Sequence, residues 1–162
     1  MIDLAPIIKR IETLLADKTE ASTTYAALEA RLALEKVCYD RLRQRHNYIS
    51  HEQLKRWQPG AVVLTLMKEV DAHLGQTMTL KIGKNPGVTP ENDDYVEIGT
   101  EVGFNPKRIA KMWQALANLA LHVRLPKHSN DHISAYGDKA QIRAKVDEVV
   151  MELKRLSKGT MT

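Results

Sequence analysis

The stretch from Thr23 to His51, TTYAALEARLALEKVCYDRLRQRHNYISH, constrains the fold of this chain more than any other. It reads as one long amphipathic helix running into a basic, histidine-bearing turn. Tyr25, Leu28, Leu32, Tyr39 and Leu42 recur at spacings of three, four and seven, which puts them on one stripe of a 3.6-residue helix. Such a stripe needs a core to face, so the rest of the chain is expected to pack on this helix. Arg31 and Glu35 stand one turn apart beside the stripe. On the surface, an arginine placed before a glutamate adds only about 0.2–0.5 kcal/mol. Half-buried, the same pair fixes packing geometry, because an ion leaving water needs its partner.

The 162 residues suffice for one domain with a real core, and residues 1–162 are expected to form a single unit. No apolar run approaches the ~20 residues that span a bilayer. The N-terminus, MIDLAPIIKRIE, lacks the basic start, apolar block and small-residue cleavage site of a secretory leader. A cytoplasmic protein is therefore expected. Cys38 is the only cysteine, which excludes an internal disulfide, and its mid-helix position suits a packed thiol better than a nucleophile. The net charge of +4 is unevenly spread: residues 1–58 sum to +2, 59–104 to −4 and 105–162 to +6. Basic ends around an acidic middle allow an anionic partner without requiring one.

Along the chain, a first helix is expected from near Asp3, with Pro6 in its first turn, and it carries Leu4, Ile7, Ile8, Ile11, Leu14 and Leu15. After the long helix, Ser50 to Gln53 has the spacing of a capping box and predicts a short helix with Leu54 and Trp57, stopped before Pro59. A fourth helix, about Ala61 to Leu74, shows Val62, Val63, Leu66, Met67 and Val70 inward and is closed by Gly75. From Thr77 to Phe104 the period changes. TMTLKIG and YVEIG alternate around a turn-rich KNPGVTPEND, which predicts a hairpin or irregular flap outside the helical core. Asn105-Pro106 caps and opens a fifth helix with Ile109, Met112, Trp113, Leu116, Leu119 and Ala120, ending near His122. Asp138 caps a last helix whose Ile142, Val146, Val149, Val150, Leu153 and Leu156 alternate four and three apart, the seam of a helix packed lengthwise on another helix or on a second protomer.

The LEARLALEKVCYDRL string and the downstream ISHEQLKRWQP resemble the helical proteins of the HEPN superfamily, found among bacterial toxins and antiviral defence proteins. LANLALHVRLP adds a looser likeness. The resemblance implies a mainly α, antiparallel HEPN-like bundle with a small hairpin or flap insertion at about 77–104, and a homodimer. It also implies an RNA-directed protein, with metal-independent endoribonuclease chemistry at a site shared by two protomers and no cofactor. Active members carry an arginine followed after four to six residues by a histidine, and two such pairs occur here, Arg41 with His46 and Arg45 with His51. RNA cleavage needs a base for the ribose 2′-hydroxyl, an acid for the leaving oxygen and a cation for the pentavalent phosphate. Arg45, His46 and His51 are the candidate catalytic residues. Arg41, Arg43, Lys55 and Arg56 would hold the RNA backbone, with Tyr48 or Trp57 as stacking surfaces. The bland alternative is a basic turn that complements a helix C-terminus.

A non-catalytic helical module that binds a partner protein is the rival reading. DNA binding is a lesser one: IGTEVGFNPKRIAKMWQAL has the look of a turn and recognition helix with Lys107, Arg108 and Lys111, but a strand-like DDYVEIG precedes it. His122, His128 and His132 match no zinc spacing, and no metal is expected. Trp57 and Trp113 suit a core.

Overall fold

The computed structural model describes residues 2–45, 75–85, 87, 89, 91, 94–123, 128, 132–134 and 136–160, the side chains of 42–45 excepted. Among them stand four helices, α1 (Ala5–Ala16), α2 (Glu20–Arg45), α3 (Pro106–Ala120) and α4 (Lys139–Leu156), and two strands, β1 (Met78–Gly83) and β2 (Tyr95–Glu101). The fold is mainly helical, as expected. The short helix after Ser50 and the helix from Ala61 to Leu74 lie outside the described residues.

Each helix begins for a local reason. Pro6 stands in the first turn of α1, and the Asp3 carboxylate accepts from Ala5 N at 3.0 Å. The α2 helix starts three residues before the expected Thr23, because Thr19 and Ser22 cap each other: Ser22 N donates to Thr19 Oγ1 at 3.0 Å and Thr19 N donates to Ser22 Oγ at 3.1 Å. The sharp turn ahead of it is made by Lys18 at φ 59°. Asn105 caps α3 through Arg108 N, and Asp138 caps α4 through Gln141 N, both as the sequence predicts. At the C-terminal end of α1, Arg143 of α4 donates to Leu15 O at 2.8 Å and so satisfies one of its last carbonyls, and Lys139 donates to Lys18 O at 3.2 Å in the turn that follows.

The α2 helix packs against α1, α3 and α4, which makes it the central element. Its inward face differs from the expected one. Tyr25, Leu28 and Leu32 are 60%, 38% and 41% exposed, while Ala26, Ala27, Ala30, Ala33, Leu34, Val37 and Cys38 are buried. The reason is steric. A face lined mostly by alanine lets three neighbouring helices approach closely and leaves their bulkier residues to fill the space, so Tyr25, Leu28 and Leu32 turn outward. The seam of α4, by contrast, is buried as predicted, against α2, α3 and α1 of the same chain.

The two strands pair antiparallel, with Ile82 opposite Val96 and Leu80 opposite Gly99, and a register shift falls between Leu80 and Lys81. This bulge sorts the side chains. Thr100 donates its hydroxyl to Glu97 at 3.1 Å and meets Thr79 Oγ1 at 2.9 Å, so residues three apart share a face that a regular strand would separate. Thr79, Lys81, Glu97 and Thr100 therefore line one face, and Leu80, Ile82, Val96 and Ile98 the other. Past the end of β2, the C-terminal tail joins its outer edge: Thr160 N donates to Thr100 O at 2.8 Å and Thr100 N to Thr160 Oγ1 at 2.9 Å.

Candidate functional site

Three buried carboxylates, Glu35, Glu101 and Glu152, organise the polar interior. Each is answered by arginine. The expected Arg31–Glu35 pair is present, with Nε to Oε1 at 3.4 Å and both side chains largely out of water. A third member was not anticipated: Trp113 of α3 donates its indole N–H to Glu35 at 2.6 Å while the Arg31 guanidinium stacks over its ring at 4.1 Å. Trp113 therefore packs against the core and also ties α3 to α2.

The ionised Glu35 and the apolar wall together decide the chemistry of Cys38. Burial, and secondarily the Glu35 charge, push the thiol up to about 12. It stays protonated and inert, in keeping with a packed rather than a nucleophilic cysteine. Tyr39 is raised by burial and then by the Glu35 charge.

The other two carboxylates bracket the link from β2 to α3. Arg41 on α2 is paired with Glu101 and donates to Val102 O at 2.7 Å, with Phe104 beneath it. Glu152 on α4 holds Arg155 through Oε1 at 2.6 Å and Oε2 at 3.1 Å, and Arg108 approaches it at 3.6 Å. The hydrogen bonds that Arg155 donates to Glu152 raise it further above its already high range. Arg155 also donates to Gly103 O at 2.8 Å. Two arginines from two helices thus grip adjacent carbonyls, Val102 and Gly103. On the other strand's side, Gly103 N donates to Thr77 Oγ1 at 3.0 Å. A Cβ on Gly103 would stand 2.6 Å from Thr77 N and closer still to the backbone of Gly75 and Gln76, so only glycine admits this crossing. The β2 root of the hairpin is thus clamped to the bundle, and the β1 root is tied to it through Gly103.

Of the residues expected to act on RNA, only Arg41 has a described side chain. Arg41, expected to hold RNA backbone, is turned inward at 7% exposure and bound to Glu101 and Val102, because a carboxylate taken out of water needs a cation beside it. Arg43 and Arg45 belong to the last turn of α2, and their side chains lie outside the described residues. His46, Tyr48, His51, Lys55, Arg56 and Trp57 lie outside them altogether. His122, His128 and His132 are exposed, and no group of three His, Cys, Asp or Glu among the described residues is placed to hold a metal ion. The element before α3 is strand β2, so Lys107, Arg108 and Lys111 follow a strand rather than the first helix of a two-helix DNA reader. None of the described helices is long and apolar enough to cross a membrane.

What the described surface offers instead is apolar. A groove of about 640 Å³ runs between α1 and α2, lined by Pro6, Leu14, Tyr25 and Leu28 and bridged by Arg10 and Glu29 at 3.2 Å. A pocket of about 350 Å³ lies where Ile2, Leu4, Val37, Arg41 and Leu156 meet, with Asp40 accepting from Ile2 N at 3.0 Å. The hairpin also departs from a solvated surface: Leu80, Ile82, Val96 and Ile98, all on one face, are 47%, 56%, 46% and 52% exposed. Sequence alternation announced these four residues but not their common face, which depends on the bulge. Searches against protein-family models, characterised proteins and solved structures find no match to this chain.

Proposed function

We propose that the chain is a helical interaction module that holds a rigid hairpin and offers its apolar face to a partner protein. The observation that carries this reading is the contrast within the hairpin: four clustered aliphatic side chains stay about half exposed while its roots are clamped by Arg41, Arg155 and Gly103. A two-stranded ribbon with an uncovered apolar face is marginal by itself in water. Burying that face against a partner removes apolar area from water, the general driving force for association. The cations within reach of the clamp serve internal carboxylates, and the one thiol is inert, which favours binding over catalysis in this part of the molecule.

The test replaces the face: Leu80→Ser, Ile82→Ser, Val96→Thr and Ile98→Thr together. The variant is expected to keep its helical melting transition and to lose binding of an apolar fluorescent dye that the folded wild type binds. Unchanged dye binding refutes the reading. The RNA-directed reading rests on the HEPN resemblance and on Arg45, His46 and His51. It replaces ours if purified protein cuts RNA and if Arg45→Ala or His51→Ala lowers the rate by about 10²- to 10⁴-fold with the fold intact.

A further inference from the structure

The hairpin face carries more than exposed area. Residues 78–84 of the first strand and its exit hold Lys81 and Lys84 and no acid, while residues 94–101 hold Asp94, Glu97 and Glu101 and no base. Lys84 N donates to Asp94 O at 2.8 Å, one pair beyond Gly83 and Tyr95, so Lys84 and Asp94 follow Ile82 and Val96 in the alternation and stand at the rim of the apolar face. One side of the rim is basic and the other acidic.

Resting on the module reading, we propose that the occupant of this face is a second copy of the same chain, packed face to face about a two-fold axis that runs parallel to the strands. Rotation about such an axis lays β1 of one copy over β2 of the other at the same height. Ile82 then meets the second copy's Val96, Leu80 meets its Gly99 beside the bulged Ile98, and Lys84 meets its Asp94, with every contact repeated by symmetry. An axis perpendicular to the strands lays β1 over β1 and carries Lys84 and Asp94 away from each other's counterparts, so the charge pattern selects the first arrangement. Pairing edge to edge is discouraged on both sides. Thr160 already occupies the β2 edge at Thr100, and the β1 edge carries Lys81, the kind of charge that keeps edges apart. The face remains.

Six- and seven-residue strands give a face about 20 Å long at ~3.3 Å per residue. Two such faces fall at the small end of protein interfaces, below about 1,200 Å², the range of weak and exchanging complexes. The dimer is therefore expected to form and dissociate with concentration rather than to be obligate.

Sedimentation velocity over a wide concentration range reads this directly. Wild type is expected to shift from monomer toward dimer, and Ile82→Asp to raise the dissociation constant about a hundredfold or more, since a carboxylate would be desolvated without a partner. The melting curve of Ile82→Asp should match that of wild type at low concentration. If Ile82→Asp fails to fold, Val96→Thr, which keeps the β-branched shape, carries the same comparison. The axis is read by mixing Ile82→Cys protein with Val96→Cys protein and adding a short bifunctional thiol reagent, which buried Cys38 does not meet. Mixed dimers should crosslink in preference to either protein with itself. A protein that stays monomeric at every concentration overturns the proposal, as does a dimer that survives Ile82→Asp. Preferential crosslinking of Ile82→Cys with itself overturns the axis. If wild type is monomeric but binds apolar dye through this face, the second copy is the wrong occupant while the module reading stands. If it also binds no dye, both fall.

Discussion

Gly103→Ala places a single methyl group where the hairpin root crosses the chain at Gly75–Thr77. The new Cβ would lie 2.6 Å from Thr77 N and nearer still to Gly75 O and Gln76 C, all of them backbone atoms that cannot rotate aside as a side chain would. Overpacking of this kind costs about 1–3 kcal/mol and occasionally more. Moving the strand away to relieve it stretches the Thr77 Oγ1 bond at 3.0 Å and the Arg155 bond to Gly103 O at 2.8 Å. A neutral hydrogen bond contributes about 1 kcal/mol and one to a charged group about 1.5–3 kcal/mol. The sum is about 3.5–7 kcal/mol, which lowers the midpoint of a domain of this size by roughly 7–28 °C at 2–4 °C per kcal/mol. Thermal unfolding followed by circular dichroism gives the shift, and hydrogen exchange of the β1 and β2 amides locates it. Gly87→Ala is the control. A methyl group on Gly87 would meet nothing within 4 Å, and only the φ of +91° resists a side chain, so the cost there is limited to about 1–3 kcal/mol of backbone strain with no loss at the root. A Gly103→Ala midpoint within about 2 °C of wild type, less than 1 kcal/mol on the same scale, would refute the clamp.

Leu34→Ala should cost about 2–5 kcal/mol, because Leu34 is fully buried, whereas Leu28→Ala and Leu32→Ala should each cost under about 1 kcal/mol; denaturant unfolding of the three variants tests which face of α2 is inward. Trp113→Phe keeps an aromatic ring and removes the donor to Glu35, so it should destabilise by about 1.5–3 kcal/mol in the same assay, and a neutral result would mean that the carboxylate does not depend on the indole. The Cys38 thiol is raised from 9.0 to about 12 in the fold, so its contribution is fully present below pH 9 and is lost as the pH rises toward 12. At about pH 10 that loss is about 1.4 kcal/mol. The stability of Cys38→Ala should accordingly fall less steeply between about pH 9 and 11, and native Cys38 should resist alkylation at about pH 8 until denaturant is added.

The caps were legible because their chemistry is local. Asn105-Pro106 and Asp138 each need only the next three residues to satisfy a helix start, and both stand where the sequence puts them. The α4 seam and the hairpin were legible for the same reason: each repeats its own period. The inward face of α2 was not, because the stripe of Tyr25, Leu28 and Leu32 stands out by side-chain size, whereas packing of three helices on one selected the alanines. Of the buried charges only Arg31–Glu35 could be foreseen, four residues apart on one helix. Trp113 reaches Glu35 across 78 residues, Arg41 reaches Val102 across 61, and Arg155 reaches Gly103 across 52, distances over which a single sequence carries no periodic signal. Of the residues expected to cleave RNA, His46, His51 and the Arg45 side chain lie outside the described residues.

That clamp has a thermodynamic consequence for any visitor to the hairpin. A free ribbon would have to surrender its conformational entropy at the moment of docking, at about 1–2 kcal/mol for each residue fixed. Here Arg41 and Arg155 hold Val102 and Gly103 from two different helices, so that ordering at the root of the ribbon is completed when the bundle folds. Complex formation then starts from a preorganised surface, and a small face can bind more tightly than its area alone suggests.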